Sequence, residues 1–147
     1  MGESKRQVTC CTANIHDMCR MNKIQHEGNY ERNLGPQVRD ASVLCPNFWS
    51  YIDVYDLADA LVLAAQSSLP GHEVLYIASP DNVGNRPLAA MIRKYYGQAI
   101  ELRPLAREDA SGISCAKAVK MLGYAPKRSW RDYLDEQGGL KVEVAPR

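Results

Sequence analysis

Apolar and polar positions alternate with a clear period only from residue 49 onward. Tyr51, Ile52 and Val54 form a short β-type run. Val54, Leu57, Ala58, Leu61, Val62 and Ala65 then recur at helical spacing, predicting an amphipathic helix from Val54 to Ser67 or Ser68. Asp53 and Asp56 sit where a helix N-terminus takes acceptors and negative charge. Leu69-Pro70-Gly71 stops the helix. Glu73 to Ala78 is a near-continuous apolar run, predicting a strand covered on both faces. Pro87 opens a second helix with Leu88, Met91, Ile92 and Tyr95 inward. Residues 99–103 read as a short strand ended by Pro104. Ser114 caps a third helix that runs through Leu122 and closes at Gly123. Ser129 caps a last helix, Trp130 to about Gln137, stopped by Gly138-Gly139.

Residues 1–48 carry no sustained period. A broken stripe (Val8, Ile15, Met18, Met21) allows a helix within Thr9 to Lys23, and Glu27-Gly28-Asn29-Tyr30 and Asn33-Leu34-Gly35-Pro36 are turn signals. The chain therefore divides into an irregular N-terminal segment, 1–48, read as disordered or exchanged with a partner chain; an α/β lobe, 49–137, of short strands and about four helices; and a tail, 138–147.

Charge narrows the function classes. With 18 basic and 17 acidic residues the net charge is +1, without the basic excess of a nucleic-acid or membrane-surface binder. No apolar run reaches the roughly 20 residues that span a bilayer. The five cysteines, odd in number and irregular in spacing, fit a reduced, cytoplasmic setting. A zinc site from Cys10, Cys11, Cys19 and His16 or His26 is the sharper alternative. No C-x-x-C pair exists, so no metal site is assigned.

Three segments carry a resemblance. Tyr51-Ile52-Asp53-Val54-Tyr55-Asp56-Leu57-Ala58-Asp59-Ala60 resembles the "Y-I-D/H-V-x-D-x-A-x-A" stretch of NAD(P)-dependent epimerases/dehydratases, the extended short-chain dehydrogenase/reductases. Val74 to Pro80, followed by Arg86-Pro87-Leu88, resembles the family's "x-x-N-I-G/A-S/A-x" strand and turn, with Tyr76 in place of the Asn. Ser114 to Pro126 resembles "D-x-S-K-A-x-x-x-L-G-W/Y-x-P", with Ser114-Cys115-Ala116 in place of "D-x-S". Together they cover roughly residues 49 to 134.

The resemblance implies a partial Rossmann-like fold: the substrate-binding half of an enzyme whose complete form uses NAD(P) to epimerise or dehydrate a nucleotide-sugar. The Gly-rich dinucleotide half is missing, since no G-x-x-G-x-x-G follows a strand. Met1-Gly2-Glu3-Ser4-Lys5 is similar to the catalytic "Y-G-x-S-K". Lys5 is the candidate catalytic residue, but Met1 stands where the phenol should exchange a proton. Asn33-Leu34-Gly35-Pro36 is a shortened likeness of "N-V-Y-G-P"; an ordinary turn is the plainer reading. Arg103 and Arg107 flank Pro104 where the family places a phosphate-holding arginine, so both are candidate substrate-binding residues. Trp49 or Tyr51 could stack a base, though strand packing suits them better. Asp53 and Asp56 could pair for acid–base work, though capping explains them without chemistry. His72 falls in an exposed turn. The chain alone is expected to bind no cofactor, to lack oxidoreductase activity and to form a homo-oligomer. A self-associating interaction module is the alternative.

Overall fold

The computed structural model describes residues 7–11, 24–25, 29–40, 42–43, 45, 47–69 and 71–141. These form a small mixed α/β structure. In order they are β1 (Gln7–Cys11), β2 (Ile24–Gln25), α1 (Tyr30–Arg39), β3 (Ile52–Asp53), α2 (Val54–Gln66), β4 (His72–Tyr76), α3 (Leu88–Tyr96) and α4 (Ala116–Leu122), then a 3₁₀ turn at Trp130–Asp132. β1 pairs in parallel with β4, Gln7 opposite His72, and β2 pairs in parallel with β3, Ile24 opposite Ile52. Parallel partners need crossover connections, and the helices lie in them. β1, β2 and α1 fall in the stretch expected to be irregular; the remaining positions of the 9–23 helix expectation lie outside the described residues.

Local rules explain most helix ends. Asp53 caps α2: its Oδ1 accepts the Tyr55 amide at 2.8 Å. Gly123 ends α4 at φ +67°, a left-handed position that glycine takes without a Cβ penalty. Ser129 and Asp132 form a reciprocal capping box, but the expected helix is only the one turn, 130–132. Ser114, expected to cap α4, stands one residue before its N-cap Cys115, and its Oγ accepts only a long bond from the Ala116 amide at 3.4 Å.

Four expectations are corrected. Asn33 to Pro36 lie inside α1, because Tyr30, Leu34 and Val38 form one buried helix face and that burial outweighs the local turn signal. Residues 99–103 form no strand. β4 is covered on one face only: Leu75 is buried whereas Val74 is 42% and Tyr76 52% exposed. Finally, α2 does not bury its predicted apolar stripe. Asp56, Ala60 and Ala64 face inward, while Leu61 and Val62 are about half exposed. Alanines at this i, i+4 spacing let the helix backbone approach β1 and β3 closely, and Asp56 is drawn in by cationic partners described below.

Three buried clusters form the interior. The first joins Tyr30, Leu34 and Val38 to Tyr51, Val83, Trp130, Tyr133 and Leu134, with Tyr30 and Tyr133 stacked at 4.0 Å. The second joins Ile52, Ala60, Leu75, Ile77, Ala118 and Tyr124. The third joins Cys45, Trp49, Leu88, Met91 and Ile92. Among the described residues, no helix is long and apolar enough to cross a membrane.

Candidate functional site

The long connection from β4 to α3 is laced to the segment before α4. Asp81 and Ala110 form an antiparallel bridge. Asn82, fully buried, donates its side-chain amide to the carbonyls of Arg86 (2.8 Å) and Ala110 (3.1 Å) and accepts from the Arg86 amide. The Leu88 amide donates to the Glu108 carbonyl at 2.9 Å. Gly84, at φ +86°, and Asn85, at φ +53°, turn the chain sharply before Pro87 starts α3. Between these two laced segments lies a cleft of about 310 Å³, walled by Asn85, Arg86 and Pro87 on one side and Arg107, Glu108 and Asp109 on the other.

The cleft is held by alternating charges. Arg107 grips Asp109 with two donors, Nε to Oδ1 and Nη2 to Oδ2, the second at 2.9 Å. That bond, ahead of a small opposing effect of burial, raises the guanidinium's pKa further. Arg131, reaching in from the 3₁₀ turn, donates Nη2 to both Asp109 Oδ2 (3.0 Å) and Asn85 Oδ1 (2.9 Å), and Nη1 to Asp81 Oδ2. Asp81 also accepts the Tyr51 phenol at 2.8 Å and the Ser129 hydroxyl at 3.1 Å. Arg86 donates Nη2 to the Val38 carbonyl at the end of α1, at 2.9 Å; its buried Nε has no partner among the described residues.

A second charged cluster lies under the N-terminus of α2. The Asp53 and Asp56 side chains are fully buried. Asp53 accepts the Tyr30 phenol at 2.8 Å. Asp56 accepts the backbone amides of Lys127 (3.0 Å) and Arg128 (2.9 Å), and Arg128 Nη1 at 3.1 Å. Arg128 Nε lies 3.8 Å from Asp53, and its guanidinium covers the Tyr55 ring at 4.8 Å. Burial pulls the Arg128 pKa down, but Asp53 and Asp56 outweigh it and the net shift is upward. Asp53 is thus a cap, as expected, whereas Asp56 anchors the chain at 127–128.

The predicted site residues separate accordingly. Arg107 lines the cleft. Arg103 is exposed and is not part of its wall. Lys5 lies outside the described residues, as do three of the zinc candidates, His16, Cys19 and His26; of Cys10 and Cys11 only the backbone in β1 is described. Among the described residues no three His, Cys, Asp or Glu side chains group to hold a metal ion. Trp49 and Tyr51 are each 1% exposed and pack in the core rather than offering a stacking face. His72 is exposed at the start of β4. Asp109, Asn85, Arg86 and Arg131 were not singled out from sequence; the available signal was the dense charge of Arg107-Glu108-Asp109 and the three-residue spacing of Arg128 and Arg131.

A dinucleotide's pyrophosphate takes a strand-to-helix junction. At β3–α2 there is no intervening loop, and the Asp53 carboxylate occupies the helix N-terminus where a pyrophosphate would sit. At β4–α3 the connecting loop is filled by the Asn82 and Arg131 bonds. Neither of these two junctions carries the Gly-rich turn of a dinucleotide site. Three buried phenols hold their protons more tightly than a free tyrosine. Burial, then the Asp53 hydrogen bond, pushes Tyr30 strongly up; burial, then the Asp81 charge, does the same to Tyr51; burial raises Tyr124. No family model, curated protein or solved structure matches the chain.

Proposed function

We propose that this chain is the substrate-holding lobe of an NAD(P)-dependent epimerase/dehydratase of the extended short-chain dehydrogenase/reductase type, binding the diphosphate of a nucleotide-sugar in the Arg107 cleft and performing no redox chemistry alone. One observation carries the reading. The three segments that resemble the family in sequence converge on a single core: Ile52 and Ala60 come from the first, Leu75 and Ile77 from the second, Ala118 and Tyr124 from the third. Cys115 Sγ accepts the Ala78 amide at 3.0 Å, and the Tyr124 phenol donates to the Ala78 carbonyl at 3.1 Å, so the second and third segments are tied side by side. The parallel pairing of β1 with β4 and of β2 with β3 supports a Rossmann-like arrangement.

In this reading Arg107 is the phosphate contact, presenting a planar fork suited to paired oxygens. Arg103 contributes only long-range charge. NAD(P) supplies hydride chemistry in complete enzymes of the family, and in this reading the lobe alone does not bind it. Calorimetric titration with UDP-, GDP-, TDP- and ADP-glucose, and separately with NAD⁺ and NADP⁺, tests the proposal. A nucleotide-sugar that binds and is lost in Arg107→Met, with neither dinucleotide binding, is the expected result. Binding of NAD⁺ or NADP⁺ by the chain alone, or nucleotide-sugar binding indifferent to Arg107, refutes it.

A second reading has its own observation. Leu61 and Val62 of α2, Val74 and Tyr76 of β4 and Val119 of α4 are 42–53% exposed, and such apolar positions favour self-association. A monomeric mass by light scattering across the micromolar range removes this reading.

A further inference from the structure

Arg107 is already occupied. Its Nε and Nη2, the two donors of one guanidinium edge, both go to Asp109, while Nη1 has no hydrogen bond among the described residues. Asp109 is therefore in the position an anionic ligand would take. The same carboxylate is also held by Arg131, whose Nη2 donates at 3.0 Å to the Oδ2 that Arg107 Nη2 shares. The two arginines differ in freedom. Arg131 is fixed by three further acceptors, Asp81 and Asn85 on the β4–α3 connection and Ser129 beside it in the chain. Arg107 has Asp109 alone and a side chain 51% exposed.

We propose that Asp109 is an internal counter-anion that closes the Arg107 fork in the ligand-free protein, and that Arg131 is the positioning residue that keeps Asp109 paired when Arg107 turns to a phosphate. This rests on the assignment of the cleft to a diphosphate and adds its regulation. The exchange is favourable in form because a carboxylate whose side chain is 11% exposed is costly to leave unpaired. Arg131 removes that cost, so only the exposed half of the network rearranges. Glu108 lines the same cleft with the same charge but makes no side-chain bond to Arg107, which separates occlusion of the fork from simple repulsion.

Inorganic pyrophosphate is the probe, titrated calorimetrically at fixed ionic strength against the full chain. Freed of its competitor, Asp109→Asn should bind roughly two- to fivefold more tightly, the range of a partly exposed ion pair, and more tightly than Glu108→Gln. Arg131→Met should bind more weakly, and Asp109→Asn placed in that background should restore binding; a purely structural role for Arg131 would not be rescued this way. In the unaltered protein, the Arg107 Nε–H resonance should shift on titration while that of Arg131 stays, which keeps the test open if a variant fails to fold. If Arg107→Met binds pyrophosphate as the unaltered protein does, or nothing binds, the cleft assignment fails and the exchange with it. Where Arg107 is required, an Asp109→Asn affinity no greater than that of Glu108→Gln overturns the exchange alone, as does an unmoved Arg107 resonance at saturation.

Discussion

Arg128→Met tests the cluster beneath α2 most directly. The substitution keeps an aliphatic stem of similar length and removes the guanidinium that serves two fully buried carboxylates. Removing one partner of a buried ion pair costs about 3–5 kcal/mol when the survivor has nothing else. Here the survivors keep donors: the Tyr30 phenol and Tyr55 amide for Asp53, the Lys127 and residue-128 amides for Asp56. Arg128 is also 35% exposed, so water can replace part of its contact. Those two discounts bring the expected loss to about 2–3 kcal/mol, including about 0.5 kcal/mol for the contact over Tyr55. In urea, with a slope of about 2 kcal/mol per molar, the midpoint should fall by about 1–1.5 M at unchanged slope. Pairing Arg128→Met with Asp56→Asn should restore part of the loss, because the orphaned charge goes with its partner. A midpoint shift under about 0.3 M, or a double variant whose loss is the plain sum of the singles, would refute the argument that charge compensation holds residues 127–128 to α2.

Two glycines in left-handed conformation should respond very differently to alanine. A Cβ at Gly123 (φ +67°) meets nothing within 4 Å, so Gly123→Ala should cost about 1 kcal/mol of backbone strain in a urea titration. At Gly138 (φ +72°) the Cβ would lie 2.6 Å from the Gly35 carbonyl oxygen, so Gly138→Ala should cost about 2–3 kcal/mol or more, and similar losses in the two would contradict the packing of Gly138 on α1. The Cys115 thiol is raised from its ordinary 9.0 to about 11 by burial, partly offset by the Ala78 amide. Because the folded state holds its proton longer, the stabilisation is complete below pH 9 and is lost as pH rises through 11; peptide mapping after iodoacetamide treatment of the folded protein should show Cys115 alkylation remaining slow at pH 8 and rising only toward pH 11. Rapid alkylation at pH 8 would contradict that burial.

The elements readable from sequence were those set by neighbours in the chain. Asp53 before an apolar helical run, Gly123 after one and Ser129 three residues before Asp132 each satisfy their own helix end, so local chemistry was sufficient. The failures arose where distant groups decided. The stripe of Leu57, Leu61 and Val62 is the more hydrophobic side of α2, yet the helix turns Asp56, Ala60 and Ala64 inward because Arg128, 72 positions away, binds Asp56 and because alanines permit closer approach to the strands. Asn33-Leu34-Gly35-Pro36 has turn composition, but Leu34 is needed by a core built with Trp130 and Tyr133. The site divides the same way. Arg107 was named from the position the family resemblance gives a phosphate-holding arginine, and it lines the cleft, whereas Arg131 enters only through a fold that brings residues 81, 85, 109 and 131 together.

The pairing of β1 with β4 also has a kinetic side. Gln7 and His72 stand 65 positions apart, whereas Ile24 and Ile52 of the β2–β3 pair stand 28 apart (72 − 7 and 52 − 24). Closing the longer loop costs about 0.7 kcal/mol more chain entropy, and contacts of long sequence separation slow the search for the native state. β4 meets α2 across the short connection 67–71, packing Leu75 with Ala60, and the segment around Ala118 joins them from nearer in the chain than β1 does. Folding should therefore begin around that cluster and finish when β1 docks on β4. In refolding experiments, Leu75→Ala should slow folding, while Thr9→Gly in β1 should chiefly accelerate unfolding.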